Sequence, residues 1–448
     1  MLNYIWLALV LLAVTIGGWN GHLKEVTEGA FDGAKTAVTI ALGLIGIMAL
    51  WLGVMRLAER AGLVQKLARL LRPVMSRLFP GVPNDHPAMG SMLMNMAANM
   101  LGLGNAATPL GLRAMRDLER LNPHPGTATN AMCTFLALNT SSVQLIPTTA
   151  IAILVAAGST NPTRIVGTSL LATLCAATVA ITMVKLLENV PLFRVRATAV
   201  AGSAEPGRVA PPANDTAEEL VAGEAAGTHP VPLWGKGVLL LLALFFLGLF
   251  VRQVFPEALG LPPGADALAA SYFVRGVSAL SLLAIPILLS FFILYGALRG
   301  LKVYDEFVEG AKEGFGVILR IIPFLVTMLV AINMFKGAGG IDLLARALAP
   351  LLNPLNFPTD LLPIALMRPL SGGATLALFT DVVQRLGPDN ITSLMAATIY
   401  GSTETTFYVA AVYFGAVGIK QTRHAIPAGL MADFAGVVAS VIICRAVL

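Results

Sequence analysis

Charged residues are scarce in this sequence of 448 residues, and the shortage excludes most classes of soluble protein. Asp, Glu, Lys and Arg make up 12% of the chain, and hydrophobic residues make up 56%. Soluble domains carry about 25% charged residues. Several runs of about 18 residues or more are nearly free of charge, which is the length at which a helix can cross a bilayer. The composition therefore predicts an all-α polytopic membrane protein, inserted in the lipid bilayer of the cell inner membrane.

Cysteine and histidine are also few, with three and five residues. Cys133, Cys175 and Cys444 stand apart in apolar segments without CxxC spacing, which is typical of small buried side chains. HExxH and GxSxG motifs are absent. The letters "GLGNAA" at 102–107 fit a dinucleotide fingerprint, but no strand precedes them. We therefore expect no metal, no cofactor and no enzymatic activity, and we rank a membrane enzyme third among the function classes.

Basic residues outnumber acidic ones, which gives a net charge of +5. They cluster just beyond the ends of the apolar runs, where Lys and Arg are retained on the cytoplasmic side of membrane proteins. This distribution indicates membrane topology, and it argues against a nucleic-acid partner.

Several short sequences occur twice along the chain, and some of them place polar residues inside apolar segments. Two copies of one unit with polar stretches at membrane depth are typical of secondary transporters built from internal repeats. The pairs are "EGAFDGAK" at 28–35 with "EGAKEGFG" at 309–316, "GNAATPLG" at 104–111 with "GGATLALF" at 372–379, and "LNTSSVQLIPTTAIAI" at 138–153 with "YGSTETTFYVAAVYFG" at 400–415.

Residues 88–112 and 361–384 either cross the bilayer or enter and leave it on one side as re-entrant hairpins. With hairpins and a cytoplasmic N-terminus, about two thirds of the Lys and Arg lie inside, whereas full crossings divide them almost evenly. The hairpins are therefore favoured, and about nine full spans remain. The span at Leu233–Val254 has no counterpart in the first half, so it allows the second copy to insert upside down. We predict two inverted-topology repeats with a binding site at their interface.

Residues 196–232 differ in composition from the rest of the chain. They are rich in Ala, Pro, Gly and Glu and contain no aromatic residue, which is typical of a flexible linker without a core. We predict that this linker follows an N-terminal unit at 1–195 and precedes a connecting span at 233–254 and a C-terminal unit at 255–448.

Residues 126–157 are too long for a single straight crossing, because a helix of this length would reach about 48 Å against a hydrocarbon core of about 30 Å. Polar residues and Pro147 stand at the centre of the segment, so we predict two half-helices joined by an unwound stretch. Unwound backbone at membrane depth is tolerated where it lines a cavity or is buried in protein. The residues "GSTETT" at 401–406 occupy the same place in the second copy, so a second unwound stretch is expected there. The candidate substrate- or ion-binding residues of the two stretches are Asn139, Thr140 and Ser142 in the first half and Ser402, Thr403, Glu404 and Thr405 in the second.

Glu404 and Arg368 are charged residues within apolar segments. Ionisable groups in a membrane are costly and usually face a cavity or a partner. Glu404 is interpreted as a coupling site for a proton or cation or as a substrate ligand, with a structural hydrogen bond as the alternative. Arg368 is interpreted as a counter-ion to Glu404 or to a substrate anion, with an Arg that snorkels to the interface as the alternative. Ser371 and Thr375 follow Arg368 and are also candidate binding residues.

Four neutral polar residues lie close together in the first predicted hairpin. Asn95 and Asn99 are four residues apart and share one helix face. With Asn105 and Thr108 they form a candidate lining for a polar solute or a sodium-like cation, because hard cations prefer oxygen ligands. The alternative is polar contact between helices, which is common in membrane bundles.

Long stretches of the sequence resemble known families. Residues 84–123, "NDHPAMGSMLMNMAANMLGLGNAATPLGLRAMRDLERLNP", and 134–153 are similar to spore maturation protein A. The segments "EGAKEGF" at 309–315, "RPLSGG" at 368–373, "GSTETTFYV" at 401–409 and "VYFGAVGIKQTRHA" at 412–425 are similar to spore maturation protein B. The chain thus resembles a natural fusion of the two over about residues 1–195 and 272–448. The resemblance implies membership of the Gate-domain (nucleoside recognition) family, together with parts of concentrative nucleoside transporters and ferrous iron transporter B, and it supplies no substrate.

Two function classes follow from these patterns. The favoured class is a transporter of a small polar solute, with or without a coupled ion, that works by alternating access between the repeats. The alternative is a non-transporting membrane scaffold for envelope or spore maturation. A scaffold has little reason to carry Glu404 and Arg368 within lipid, so the charges favour transport. The sequence is compatible with a homo-oligomer and names neither the solute nor the ion.

Overall fold

The computed structural model of the protein describes residues 2–84, 86–102, 104–191, 193, 229–260, 271–340, 343, 346 and 357–448. The predicted linker at 196–232 lies outside these residues except for its last four positions. The predicted domain boundaries around it therefore stay predictions.

The described residues form sixteen α-helices with short 3₁₀ turns, which confirms the prediction of an all-α protein. This part of the chain contains no β-strand and a single isolated bridge, between Thr127 and Gln421. The helices are α1 (Leu2–Asn20), α2 (Leu23–Arg60), α3 (Leu63–Leu78), α4 (Pro87–Met100), α5 (Gly104–Arg120), α6 (Asn130–Ser141), α7 (Thr148–Ala156), α8 (Ile165–Leu187), α9 (Leu233–Val254), α10 (Tyr272–Leu298), α11 (Val303–Gly337), α12 (Leu362–Met367), α13 (Gly372–Leu386), α14 (Ile391–Ser402), α15 (Thr406–Ala416) and α16 (Ala425–Val447).

Five helices in the described part of the chain are long and apolar enough to cross a membrane: α2, α8 with its preceding turn, α9, α10 and α16. Two shorter apolar helices, Trp6–Asn20 and Leu325–Gly337, belong to α1 and α11. A hydrocarbon core of about 30 Å needs about 20 helical residues. The chain is therefore a multi-pass membrane protein, and the count of nine full spans stays a prediction.

Helices α2 and α11 pack against each other in antiparallel directions. Gly33 of α2 lies against Leu329 of α11, whereas Leu52, much further along α2, lies against Gly310. A Cβ atom at Gly33 would come 2.6 Å from the carbonyl oxygen of Leu329, so glycine allows the two backbones to touch. The helices that begin the two predicted repeats therefore run in opposite directions.

Helices α6 and α7 form one broken helix, α14 and α15 form a second, and the two lie side by side in opposite directions. At one end, the backbone N–H of Ala128 before α6 donates to the carbonyl oxygen of Gln421 after α15, at 3.0 Å. At the other end, the backbone N–H of Thr160 after α7 donates to the Asp389 carboxylate before α14, at 3.0 Å. The broken helix predicted at 126–157 is confirmed, because α6 ends at Ser141 and α7 starts at Thr148.

Each half also contains a pair of helices between which the chain reverses, α4 with α5 and α12 with α13. Helices α4 and α5 pack directly on each other across a short turn that includes Gly102, whose φ is +76°. The segment 88–112 is therefore not one straight helix. With 14 residues, α4 is about 21 Å long and does not reach across a hydrocarbon core. Re-entry of either pair into the bilayer stays a prediction.

Candidate functional site

The break in the first broken helix is produced by Ser142 and Pro147. Ser142 ends α6 in the left-handed conformation, with φ at 35°, which non-glycine residues rarely adopt. Pro147 has no backbone N–H, and α7 begins immediately after it. The hydroxyl of Thr173 on α8 donates to the carbonyl oxygens of Ser141 and Ser142, at 2.7 and 3.1 Å. These bonds partner carbonyl groups that the end of a helix leaves unsatisfied.

The break in the second broken helix is short and consists of residues 403–405. It contacts the first broken helix directly, because the backbone N–H of Glu404 donates to the carbonyl oxygen of Thr140 at 2.6 Å. Thr140 lies in the last turn of α6. The polar stretches predicted separately in the two halves are therefore neighbours in space.

A cavity of about 170 Å³ lies between the two breaks, and we name it the central cavity. Three of the predicted binding residues line it, namely Asn99, Arg368 and Glu404. Its complete lining is Asn99, Gly102, Gln144, Pro147, Thr148, Thr149, Ala150, Arg368, Tyr400, Gly401 and Glu404.

Glu404 and Arg368 bring opposite charges to the wall of the central cavity. The side-chain amide of Gln144 lies 3.5 Å from Oε1 of Glu404, the long limit of a hydrogen bond. Arg368 is 2% exposed, and its guanidinium lies 5.0 Å from the centre of the Tyr400 ring, within range of a cation–π contact. The Nε atom of Arg368 has no hydrogen-bond partner among the described residues. This burial does not fit an Arg that snorkels to the membrane surface, and no direct ion pair to Glu404 occurs among the described residues.

The predicted asparagines form a network that connects the two halves. The side-chain amide of Asn99 donates to Oδ1 of Asn139 at 2.9 Å, and the Tyr413 hydroxyl donates to the same oxygen at 3.3 Å. Asn95 is fully buried and donates to the carbonyl oxygen of Ala107 at 2.7 Å. These bonds fit the alternative of polar contact between helices for Asn95 and Asn139, whereas Asn99 also lines the central cavity.

Four other candidates, Ser371, Thr375, Ser402 and Thr405, do not line the central cavity. Ser371 is the N-cap of α13 and accepts from a backbone N–H at 3.2 Å. Thr375 donates back to the carbonyl oxygen of Ser371 at 2.7 Å, and the hydroxyl of Ser402 lies 3.3 Å from that of a serine on α16. A binding role for these residues stays a prediction.

The candidates on α5 are less fully described. Thr108 is partly buried on this helix. Asn105 also lies on α5, but its side chain is outside the described residues. The proposed lining role of both residues therefore stays a prediction.

A second group of polar side chains is buried close to the breaks and outside the central cavity. Thr140, Ser142, Thr403 and Asp433 are each 3% exposed or less, and each has a side-chain oxygen without a hydrogen-bond partner among the described residues. The hydroxyl of Thr406 donates to Oδ2 of Asp433 at 2.6 Å. The sequence assigns no role to Asp433, because a single acid in the last apolar run has no polar neighbours along the chain.

Gln144 and Tyr400 also line the central cavity and were not among the predicted site residues. Gln144 follows Ser142 by two residues, so the high density of polar residues in this stretch could have indicated it. Tyr400 offers no such signal, because an aromatic residue in an apolar run is usually part of the core.

The structure is that of a multi-pass helical membrane protein in which two antiparallel broken helices flank a cavity with two charged side chains in its wall. Comparisons with known proteins identify its family. The Gate family, described as nucleoside recognition, matches the chain at residues 41–158 and again at residues 318–420. Spore maturation protein A of Bacillus subtilis (strain 168) is 50% identical over 174 residues, which are 39% of this chain and 89% of that protein. Spore maturation protein B of the same organism is 46% identical over 167 residues, which are 37% of this chain and 94% of that protein.

The chain therefore belongs to the Gate (nucleoside recognition) family. It joins in one polypeptide a part similar to spore maturation protein A and a part similar to spore maturation protein B, which confirms the fusion indicated by the sequence.

Proposed function

We propose that this protein transports a small polar solute across the inner membrane, with the central cavity as the solute site. The observation that carries the proposal is the position of this cavity between two broken helices, with Arg368 and Glu404 in its wall. Broken helices around a polar site are typical of secondary transporters. The solute moves without chemical change and without a bound cofactor.

Alternating access between two inverted repeats is part of this proposal. The antiparallel directions of α2 and α11 support it, as do the two separate matches to one family. A further support is a contact that occurs once in each half. The backbone N–H of Leu145 donates to the carbonyl oxygen of Met100, and that of Phe407 donates to the carbonyl oxygen of Pro369, both at 3.0 Å. In each half, the segment at or just after the break is thus bonded to the backbone at, or just beyond, the end of the first paired helix.

The charges in the central cavity favour a polar solute with hydrogen-bonding groups at two ends. Glu404 accepts hydrogen bonds, and the unpartnered Nε–H of Arg368 donates one. Charge-assisted hydrogen bonds are worth about 1.5–3 kcal/mol each, which corresponds to about ten- to a hundredfold in affinity. A neutral apolar solute would leave both charged groups unpaired in a desolvated site.

The test compares metabolite pools in a deletion strain complemented with the wild-type protein, with Glu404→Gln or with Glu28→Gln. Glu28 is an exposed acid on α2, so its replacement is the matched control. We expect one polar solute to change in the deletion strain and to be restored by the wild type and by Glu28→Gln. Glu404→Gln should fail to restore it at equal expression. The purified wild-type protein should then move that solute in proteoliposomes about tenfold or more faster than Glu404→Gln.

Full restoration of the pools by Glu404→Gln would contradict the assignment of the central cavity. A deletion strain with defects in envelope or spore maturation but unchanged metabolite pools would instead favour the scaffold.

A further inference from the structure

Asp433 on α16 is a buried carboxylate that lacks a cationic partner in direct contact among the described residues. It is 2% exposed. Thr406 donates to Oδ2 at 2.6 Å, but Oδ1 has no hydrogen-bond partner in the part of the chain that the structure describes. An ionised carboxylate removed from water is strongly disfavoured unless a cation or several donors neutralise it. The hydroxyl of Thr406, with that of Thr403 nearby, brings no positive charge to neutralise the carboxylate.

Two glycines allow both broken helices to reach the face of α16 that carries Asp433. Gly429 and Gly436 lie one turn before and one turn after Asp433, on the same face. A Cβ atom at Gly429 would lie 3.4 Å from the hydroxyl oxygen of Thr140, and one at Gly436 would lie 2.5 Å from the methyl carbon of Thr403. Thr140 belongs to the first broken helix and Thr403 to the break of the second. Both have an unpartnered hydroxyl oxygen.

The equivalent position in the first half carries a different residue. Helices α8 and α16 are each 23 residues long, and Thr173 and Asp433 are both the ninth residue. The hydroxyl of Thr173 donates to the two carbonyl groups that end α6. An ionised carboxylate has no hydrogen to donate. The second half therefore concentrates acceptor oxygens at the place where the first half supplies a donor.

We infer that Asp433, together with the hydroxyls of Thr140 and Thr403, forms a binding site for a monovalent cation such as Na⁺. Carboxylate and hydroxyl oxygens are the hard ligands that such cations prefer. One carboxylate among neutral hydroxyls balances one positive charge, whereas a divalent cation would leave a net charge in a buried site. The site uses both broken helices, so it is complete only when the two are in contact.

This cation site is distinct from the central cavity. Glu404 lines the central cavity, whereas the preceding residue, Thr403, lies against Gly436 on α16. One short break thus carries a residue of each site. The site itself does not rest on the proposed transport function.

The test measures Na⁺ binding by the purified full-length protein in nanodiscs without any solute. Thermal unfolding is followed in NaCl and in N-methylglucamine chloride at equal ionic strength, and binding of ²²Na⁺ is measured directly. We expect a midpoint of unfolding that rises with Na⁺ and then saturates, and about one bound Na⁺ for each chain. Asp433→Asn should lose both effects, and Thr140→Val and Thr403→Val should each weaken Na⁺ binding about tenfold. Thr178→Val, an exposed residue of α8, is the matched control and should bind as the wild type does.

Equal unfolding midpoints in the two salts without bound ²²Na⁺ would overturn the inference, as would undiminished binding by Asp433→Asn. If Asp433→Asn does not fold, normal binding by both threonine variants has the same consequence. This measurement contains no solute, so its outcome is independent of the proposed function. Na⁺ binding here, together with no solute movement in the proteoliposome assay, would refute the proposed function and leave this site standing.

Discussion

At the scale of single residues, the Asp389 carboxylate connects the two broken helices through hydrogen bonds. The hydroxyl of Ser159 donates to Oδ1 at 2.6 Å, and the backbone N–H and hydroxyl of Thr160 donate to Oδ2 at 3.0 and 2.9 Å. These donors favour the ionised carboxylate and lower the pKa of Asp389 below its usual value. Asp389 thus stabilises the fold above the ordinary pKa of Asp, about 3.9, and this stabilisation is lost as the pH falls through the lowered pKa.

We therefore expect Asp389→Asn to lower the midpoint of thermal unfolding at pH 7 and to approach the wild type near pH 3. The loss should be about 1 kcal/mol or less, because the residue is exposed. Differential scanning fluorimetry across this pH range measures it, with Asp32→Asn, an exposed acid on α2, as the control. A difference from the wild type that is the same at pH 3 and pH 7 would contradict this explanation.

Single residues differ in how far the sequence predicts them. Glu404 and Arg368 could be assigned to one site, because charges in apolar segments are rare and need a common explanation. Tyr413 could not, because its apolar surroundings in sequence do not reveal its hydroxyl bond to Asn139. Ser371 is a helix cap, and the sequence does not separate a cap from a ligand when both need a small hydroxyl.

At the scale of helices, the contact between α2 and α11 depends on glycine at chosen positions. Gly33→Ala should destabilise the protein by about 1–3 kcal/mol, because its Cβ would lie 2.6 Å from the backbone oxygen of Leu329. Gly46→Ala on the same helix is the control, since a Cβ there meets nothing within 4 Å. It should leave stability unchanged or raise it by about 1 kcal/mol or less. Thermal unfolding measures both variants, and equal effects would show that the contact does not matter.

The first and last residues of the helices are harder to predict from the sequence than the breaks within helices. The first broken helix could be predicted from its excess length and from Pro147. The start of α2 could not, because the charged residues in 24–35 end the apolar run at 36 while the helix extends back to Leu23. Charged residues lower hydropathy, but Lys and Glu are good helix formers.

At the scale of the whole molecule, the two halves should associate without a covalent connection. Helix α9 buries only 6% of its apolar window inside the protein, whereas α2 and α11 are in extensive contact. Arg56 of α2 also donates to Glu306 and Glu313 of α11, at 3.0 and 3.1 Å. These contacts hold the halves together independently of the linker.

A chain cut within residues 202–228 should therefore give two coexpressed fragments that copurify, with or without α9. Affinity purification through a tag on one fragment measures the association. Gly46→Ala should leave it intact, and Gly33→Ala should reduce it. Fragments that never copurify would refute the idea of two joined partners.

The opposite directions of α2 and α11 could be predicted, because the distribution of Lys and Arg records the direction of each span, whereas the inversion of the whole repeats stays a prediction. The meeting of the two breaks and the site around Asp433 could not, because no pattern along the chain indicates which polar segments become neighbours.

The glycine contacts between α2 and α11 also limit how the halves can move. Shear along this pair would bring side chains to places where only backbone fits, and packed interfaces have discrete rather than continuous arrangements. If the halves move against each other, as the proposed transport requires, this contact should therefore favour rotation about the α2–α11 pair over sliding along it. In that case the displacement would increase with distance from the α2–α11 pair, so the broken helices and their paired helices would move furthest.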